Sequence, residues 1–231
     1  MKTVILLLCL SLVTAFSGIA AADLNVVQTS CNILVSEEEC QIVCCAQVHN
    51  DSDTLAGLDH GFFRLVNGEE VVAEEGISRI WAYFLDPGGD GYVFETVRFY
   101  PDEEGQLEVP TITGVTFEMV DMFVPVTVQN QMLSTEMHIE RMEAGGYVLV
   151  CTLKNDTAET AWNPQVTYGL YTDGGSLLYA DGRSLDNMGI SGGNQIELRY
   201  MVNPQIVAQW ISYGVEPAEV RVKGYYRQET D

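Results

Sequence analysis

The 231-residue chain carries 33 acidic against 11 basic side chains, a net charge of −22. Such a field repels phosphate backbones and anionic headgroups, so nucleic acid and the anionic membrane surface are excluded as expected partners. The length suffices for one large or two ordinary domains. Residues 1–22 pair one charge, Lys2, with an apolar run from Val4 to Phe16 and the small residues Ala20, Ala21 and Ala22. That layout predicts a secretory signal peptide cleaved after Ala22, with an uncleaved anchor as the rival. The run is shorter than the roughly 20 residues of a membrane span. No later apolar run is longer, so the mature chain is expected to be secreted or extracytoplasmic, without membrane insertion.

Export permits disulfides, and Cys31, Cys40, Cys44, Cys45 and Cys151 follow the leader. If Ser36 to Glu39 form a hairpin loop, Val35 faces Cys40 and Cys31 faces Cys44, which makes Cys31–Cys44 the disulfide candidate. Cys44 and Cys45 point to opposite faces of a strand and are not expected to bond. Their spacing lacks the paired clamps and nearby histidines of a structural zinc site.

Through most of the chain, apolar and polar residues alternate, as in QIVCCAQVHN, GYVFETVRFY, NQIELRYMV and AEVRVKGYY. A period of two marks half-buried strands. Asn67-Gly68, Gly88-Gly89, Asp173-Gly174-Gly175 and Gly192-Gly193 supply turns between them. No stretch holds a capped helical period, and STEMHIERMEAGG (Ser134 to Gly146) reads as strand leading to a glycine turn. The class is all-β.

The chain also matches itself. VHNDSDT (Val48 to Thr54) aligns with LKNDTAE (Leu153 to Glu159) at an offset of 105, and FFRLVN (Phe62 to Asn67) with TYGLYT (Thr167 to Thr172). A one-residue slip matches EGIS (Glu75 to Ser78) with DGRS (Asp181 to Ser184). Farther on, FETVRFY (Phe94 to Tyr100) is matched with IELRYMV (Ile196 to Val202). These matches predict residues 23–122 and 123–231 as two domains built alike. Each is long enough for an antiparallel β-sandwich. Their charges differ: 20 acids and 3 bases in the first, 13 and 7 in the second.

The second half, from Val148 to Gly193, resembles the FxLYD domain family, immunoglobulin-like β-sandwiches of exported bacterial proteins. The aromatic-x-Leu-Tyr-Asp core is carried by Tyr168-Gly169-Leu170-Tyr171, with Thr172 inserted before Asp173. Leu153-Lys154-Asn155 matches the preceding strand and Asn turn, and Gly192-Gly193 the later glycine turn. The likeness is clearest over residues 147–231. In residues 23–122, Phe63 and Leu65 keep only the aromatic and the Leu. The resemblance implies two tandem immunoglobulin-like antiparallel β-sandwiches. The family's defining residues are structural, so it supplies no catalytic residue.

Each enzymatic pattern lacks its context. Gly189-Ile190-Ser191-Gly192-Gly193 fits a nucleophile elbow, but a strand pattern follows it and no histidine comes later in the chain. His60 beside Asp59 has no identifiable nucleophile. The two sequons, Asn50-Asp51-Ser52 and Asn155-Asp156-Thr157, occupy matching places and read as one turn used twice rather than as glycan acceptors. Phe63, Leu65, Tyr168 and Leu170 are assigned to the cores. WAYFLDPGGDGY, where the first domain is taken to be longer than its twin, is the expected binding loop, with Trp81, Asp86, Asp90 and Tyr92 as its candidate residues. A plain hairpin is favoured for its glycine turn, and calcium on Asp86 and Asp90 is the second reading. The whole reads as a non-enzymatic exported protein that binds an extracytoplasmic protein or glycan. A structural spacer or assembly subunit is the alternative, and an enzyme with an unrecognised site ranks last.

Overall fold

The computed structural model describes residues 24–53, 55–78, 84–122, 128–143 and 145–229, and the expected signal peptide lies outside them. The described residues form two compact units, 24–122 and 128–229. Both consist mainly of antiparallel strands, as the period of two requires.

In unit 1, β1 (Leu24–Val35), β2 (Cys40–Asn50) and β6 (Asp90–Phe99) form one sheet in that order. The second sheet centres on β3 (Ala56–Asn67), flanked by β4 (Glu70–Gly76) and β7 (Gly114–Met122). The short β5 (Phe84–Leu85) pairs with the start of β3. Strand β2 sends Cys40, Ile42, Cys44, Ala46 and Val48 into the core, where Phe63, Leu65 and Phe117 meet them. Phe63 and Phe117 lie 4.7 Å apart between centroids, tilted by 42°. Such a pair is worth about 1 kcal/mol beyond its burial. Thr29 Oγ1 donates to Val115 O at 2.9 Å, a buried bond from β1 to β7.

Unit 2 joins its strands into one six-stranded sheet, β12-β11-β15-β8-β9-β14. These are β8 (Val128–Arg141), β9 (Tyr147–Lys154), β11 (Gln165–Tyr171), β12 (Leu177–Ser184), β14 (Gln195–Met201) and β15 (Glu219–Glu229). The long β8 pairs with β15 through residues 128–133 and then with β9 through residues 134–141. The stretch read from sequence as strand running into a glycine turn is therefore strand to Arg141. Two further short strands, β10 (Ala161–Trp162) and β13 (Gly189–Ile190), pair with each other.

The period-two reading missed one helix, α1 (Pro204–Ser212). Its signals are local. Asn203 caps it by accepting from Gln205 N at 2.9 Å, and Pro204 opens it. Ile206, Val207 and Trp210 are buried, and Trp210 meets Tyr179 edge-on at 6.4 Å.

Backbone registers recur at the offset read from sequence. Phe63 pairs with Glu75, and Tyr168 pairs with Asp181, which reproduces the one-residue slip. Both ladders carry the same irregularity, after Leu65 and after Leu170, so the slip comes from the hairpin loop: two residues separate Asn67 from Glu70, and three separate Thr172 from Ser176. The match of FETVRFY with IELRYMV is corrected. Phe94 pairs with Cys45 and Arg199 pairs with Val150, so the offset stays at 105 rather than 102. Alternating strands resemble each other in several registers, and only the ladder distinguishes them.

Candidate functional site

The expected loop begins at the turn Asp86-Pro87-Gly88-Gly89. Gly89 N donates to Asp86 O at 2.8 Å, and Gly88 has φ 66°, the left-handed conformation that position of a type II turn needs. The same turn recurs as Ser191-Gly192-Gly193-Asn194, with Asn194 N donating to Ser191 O at 3.0 Å and Gly193 at φ 74°. The DPGG segment is therefore no insertion peculiar to unit 1. Ser191 opens a β-turn, which rules out the strand-to-helix geometry of a nucleophile elbow.

Each turn docks onto a buried asparagine. Asn50 and Asn155 are both fully buried. Asn50 N donates to Gly89 O at 2.9 Å and Asn50 O accepts from Gly88 N at 2.9 Å; Asn155 repeats both bonds with Asn194 O and Gly193 N. Asn50 Nδ2 donates to Leu85 O at 2.8 Å, and Asn155 Nδ2 to Ile190 O at 2.8 Å. Each amide oxygen accepts from the Ser52 or Thr157 backbone N–H and hydroxyl. The sequons thus serve as internal scaffolding. Full burial of the amide nitrogen leaves no room for a glycan on it.

The three described candidate residues do not converge into an open site. Trp81 lies outside the described residues. Asp86 is exposed in the turn, and its carbonyl accepts from Gly89 N and, at 3.3 Å, from Asn50 Nδ2. Asp90 Oδ1 meets His49 Nδ1 at 2.7 Å, and His49 Nε2 lies 3.3 Å from Asp51. Asn25 donates to the same Asp51 carboxylate. Tyr92 is only 2% exposed and cannot act as a surface shelf, although alternation places it, opposite Gln47, on the face of the sheet away from the core residue Val93. The calcium reading thus meets an Asp86 carbonyl and an Asp90 carboxylate already engaged. Among the described residues no group of three or more His, Cys, Asp or Glu side chains is gathered to hold a metal ion.

Cys31 lies opposite Cys44, as the hairpin register predicted, although both are thiols in this structure. Burial pushes the Cys44 thiol well above its ordinary range and the Cys151 thiol up to about 12. Buried protonated thiols are poor nucleophiles. Exposed His60 sits at a register irregularity of β3, and exposed His138 lies 3.3 Å from Glu140.

Two features escaped the sequence. In unit 2, Asp181 is buried; its Oδ2 takes the Tyr168 hydroxyl at 3.4 Å and Arg183 at 3.0 Å. Gly182 N donates to its Oδ1 at 2.8 Å. Desolvation raises its carboxyl above the usual range, against the pull of Arg183 and these hydrogen bonds. In unit 1, a cleft of about 770 Å³ lies between β4 and the segment after β6, lined by Glu70, Val71, Arg98, Tyr100, Asp102 and Glu108. Tyr100 is 66% and Val71 52% exposed. Glu69-Glu70 and the acidic run 102–104 carry the only sequence signal for it.

No described protein family and no curated protein matches the chain. Among solved structures, it is similar to an exo-chitosanase of Amycolatopsis orientalis at 12% identity and a TM-score of 0.25. That match covers 87% of this chain and 26% of the enzyme. A variant of that enzyme in complex with PNP-beta-D-glucosamine gives 11% and 0.26 over the same shares. Procruciferin, an 11S globulin from Brassica napus, gives 8% and 0.15 over 88% of this chain and 85% of the globulin. The chain thus spans about a quarter of the chitosanase's length, and TM-scores this low assign neither fold nor activity.

Proposed function

We propose that the chain is a non-enzymatic exported protein of two tandem immunoglobulin-like, FxLYD-type β-sandwiches, and that it binds another macromolecule at the cell envelope or outside the cell. One observation carries this reading: unit 1 presents an open acidic cleft with the ring of Tyr100 and the side chain of Val71 exposed beside Glu70, Asp102 and Glu108. One exposed ring beside an exposed valine, among charges of mostly one sign, suits a protein-recognition surface, where the ring supplies contact area and the acids supply steering. The partner presents basic side chains around an apolar contact.

The test is a pull-down of the exported chain from an envelope extract of its source cells, with and without calcium, beside a Tyr100→Ser, Val71→Ser variant. A partner retained by the native chain and lost by the variant supports the reading. Retention of nothing specific under either condition replaces it with a structural spacer. Equal retention by native chain and variant removes the cleft from it.

A further inference from the structure

Trp162 is 60% exposed, yet it is held in place. It sits in β10 directly opposite Gly189 of β13. A side chain built at Gly189 would come within 3.0 Å of Trp162 Cε3 and Cζ3 and 2.8 Å of Thr160 Cγ2. Glycine is therefore what lets the indole lie against the β13 backbone. Covering a strand glycine explains the seat of the ring. It does not explain what surrounds the exposed remainder.

Beside the ring lies a cavity of about 430 Å³ lined by Trp162, Asn163, Gln165, Asp186, Asn187 and Arg227. That volume falls within the roughly 300–1,000 Å³ of small-ligand sites. Its wall contains both described non-glycine residues with left-handed backbone, Asn163 at φ 49° and Asn187 at φ 62°. They are tied together: Asn187 N donates to Asn163 Oδ1 at 2.7 Å, and Asn163 N donates to Met188 O at 2.9 Å. Two unfavourable conformations locked by one pair of hydrogen bonds make a fixed rim. Gln165 lines the same cavity with its Oε1 buried and without a hydrogen-bond partner. An unmet buried amide oxygen costs about 1–3 kcal/mol.

We infer that this cavity is a carbohydrate-binding site, in which a pyranose stacks its C–H face on Trp162 and directs its hydroxyls to Gln165 and the asparagine–aspartate rim. The negative face of the indole attracts partly positive C–H groups. Gln165 Oε1 needs a donor, and a turn of its amide into the cavity brings that buried oxygen to a ligand hydroxyl. Asp186 and Arg227 together balance the rim's charge, which suits an uncharged ligand. A stacked nucleotide base would bring phosphate into the field of a −22 chain. This site belongs to unit 2 and does not depend on the unit 1 cleft.

The test is an NMR titration of the full exported chain with cellotetraose, maltotetraose and the tetramer of N-acetylglucosamine, following the Trp162 indole N–H. At least one saccharide is expected to shift that resonance to saturation. Trp162→Ala should weaken binding by at least about tenfold, the scale of an aromatic anchor. Trp162→Phe keeps a ring over Gly189 and should fold normally while binding more weakly. Gln165→Ala should weaken binding several-fold without changing the melting temperature downward. If no saccharide moves the indole signal, or if binding survives Trp162→Phe and Trp162→Ala undiminished, the assignment is overturned. A response only to control tetrapeptides overturns it in favour of a peptide site.

Discussion

Asn50 and Asn155 anchor the same turn with the same bonds, whereas the aromatics of the two units have diverged around them. Phe63 packs on Phe117 in a dry core, and Glu75 across the ladder from it is exposed. The matching Tyr168 carries a hydroxyl into unit 2, and its cross-strand partner Asp181 is buried with it. Likewise Gly57 pairs with Phe84 in unit 1, while Trp162 pairs with Gly189 in unit 2, so aromatic and glycine have exchanged strands. A fully buried amide with several partners tolerates no substitute, because every neighbour would be left unmet. An apolar contact tolerates exchange as long as volume is conserved.

The largest expected effect tests that contrast at its invariant point. Asn50→Ala and Asn155→Ala each remove two buried donors to backbone carbonyls and the acceptor for a backbone N–H, although Asp86 O keeps Gly89 N and Glu159 O keeps the Thr157 hydroxyl. Asn50 serves Leu85 O, Asp86 O and Ser52 N; Asn155 serves Glu159 O, Ile190 O and Thr157 N. Each substitution should cost about 3 kcal/mol in urea denaturation, with hydrogen exchange accelerated in the unit that carries it. A cost well below 1 kcal/mol in either unit would show that the corner is decoration.

A smaller effect is confined to unit 1. Ser36 N donates to Glu39 O at 2.9 Å, so Ser36 and Glu39 form a hydrogen-bonded pair and the loop proper is Glu37-Glu38. Counting along the ladder makes Val35–Cys40, Ile33–Ile42 and Cys31–Cys44 non-hydrogen-bonded pairs. Their Cα atoms stand about 4.5 Å apart, inside the roughly 4.4–6.8 Å of disulfides. Cys40 instead faces Val35 and Phe99, and Cys45 faces Ser30 and Phe94. Oxidised glutathione should take two electrons and two protons from the Cys31–Cys44 pair and leave as two thiols. The closed loop should add about 2 kcal/mol, below the roughly 3 kcal/mol of a 15-residue loop in an unstructured chain. Peptide mapping after alkylation should find only this linkage. Linkage through Cys40, Cys45 or Cys151 would contradict the register.

The register of that hairpin was legible because a short polar run bounded by alternating residues leaves few ways to pair. So were the strand class and the offset of 105, since Val48 to Thr54 and Leu153 to Glu159 carry an asparagine turn with its own chemistry. Tyr92 was misjudged as a surface residue: alternation shows which residues share a face, but not which faces are covered. The helix α1 was missed because nine residues give too few apolar repeats to outweigh the strand patterns around them. The Trp162 cavity was invisible, since the stretch from Trp162 to Gln165 meets Asp186 and Arg227, far off in the chain, only through strand pairing.

The smallest expected effect sharpens the aromatic comparison through pH. Asp181 holds its proton to higher pH in the folded chain than in the unfolded one, because burial raises its carboxyl above the ordinary 3.8. Its contribution to stability is then full below that value and is lost as pH rises through the raised folded value. The stability of the native chain relative to Asp181→Asn should therefore fall across that window and stay level above it. Tyr168→Phe removes a hydroxyl that donates to the charged carboxylate, so it should push the Asp181 carboxyl higher still and extend the fall to higher pH. At neutral pH its cost should be about 1 kcal/mol, the net worth of one hydrogen bond. Urea denaturation at a series of pH values reads both. A relative stability that rises with pH would mean that Arg183 outweighs burial, and that the hydroxyl of Tyr168 was accommodated by charge pairing rather than by a neutral acid.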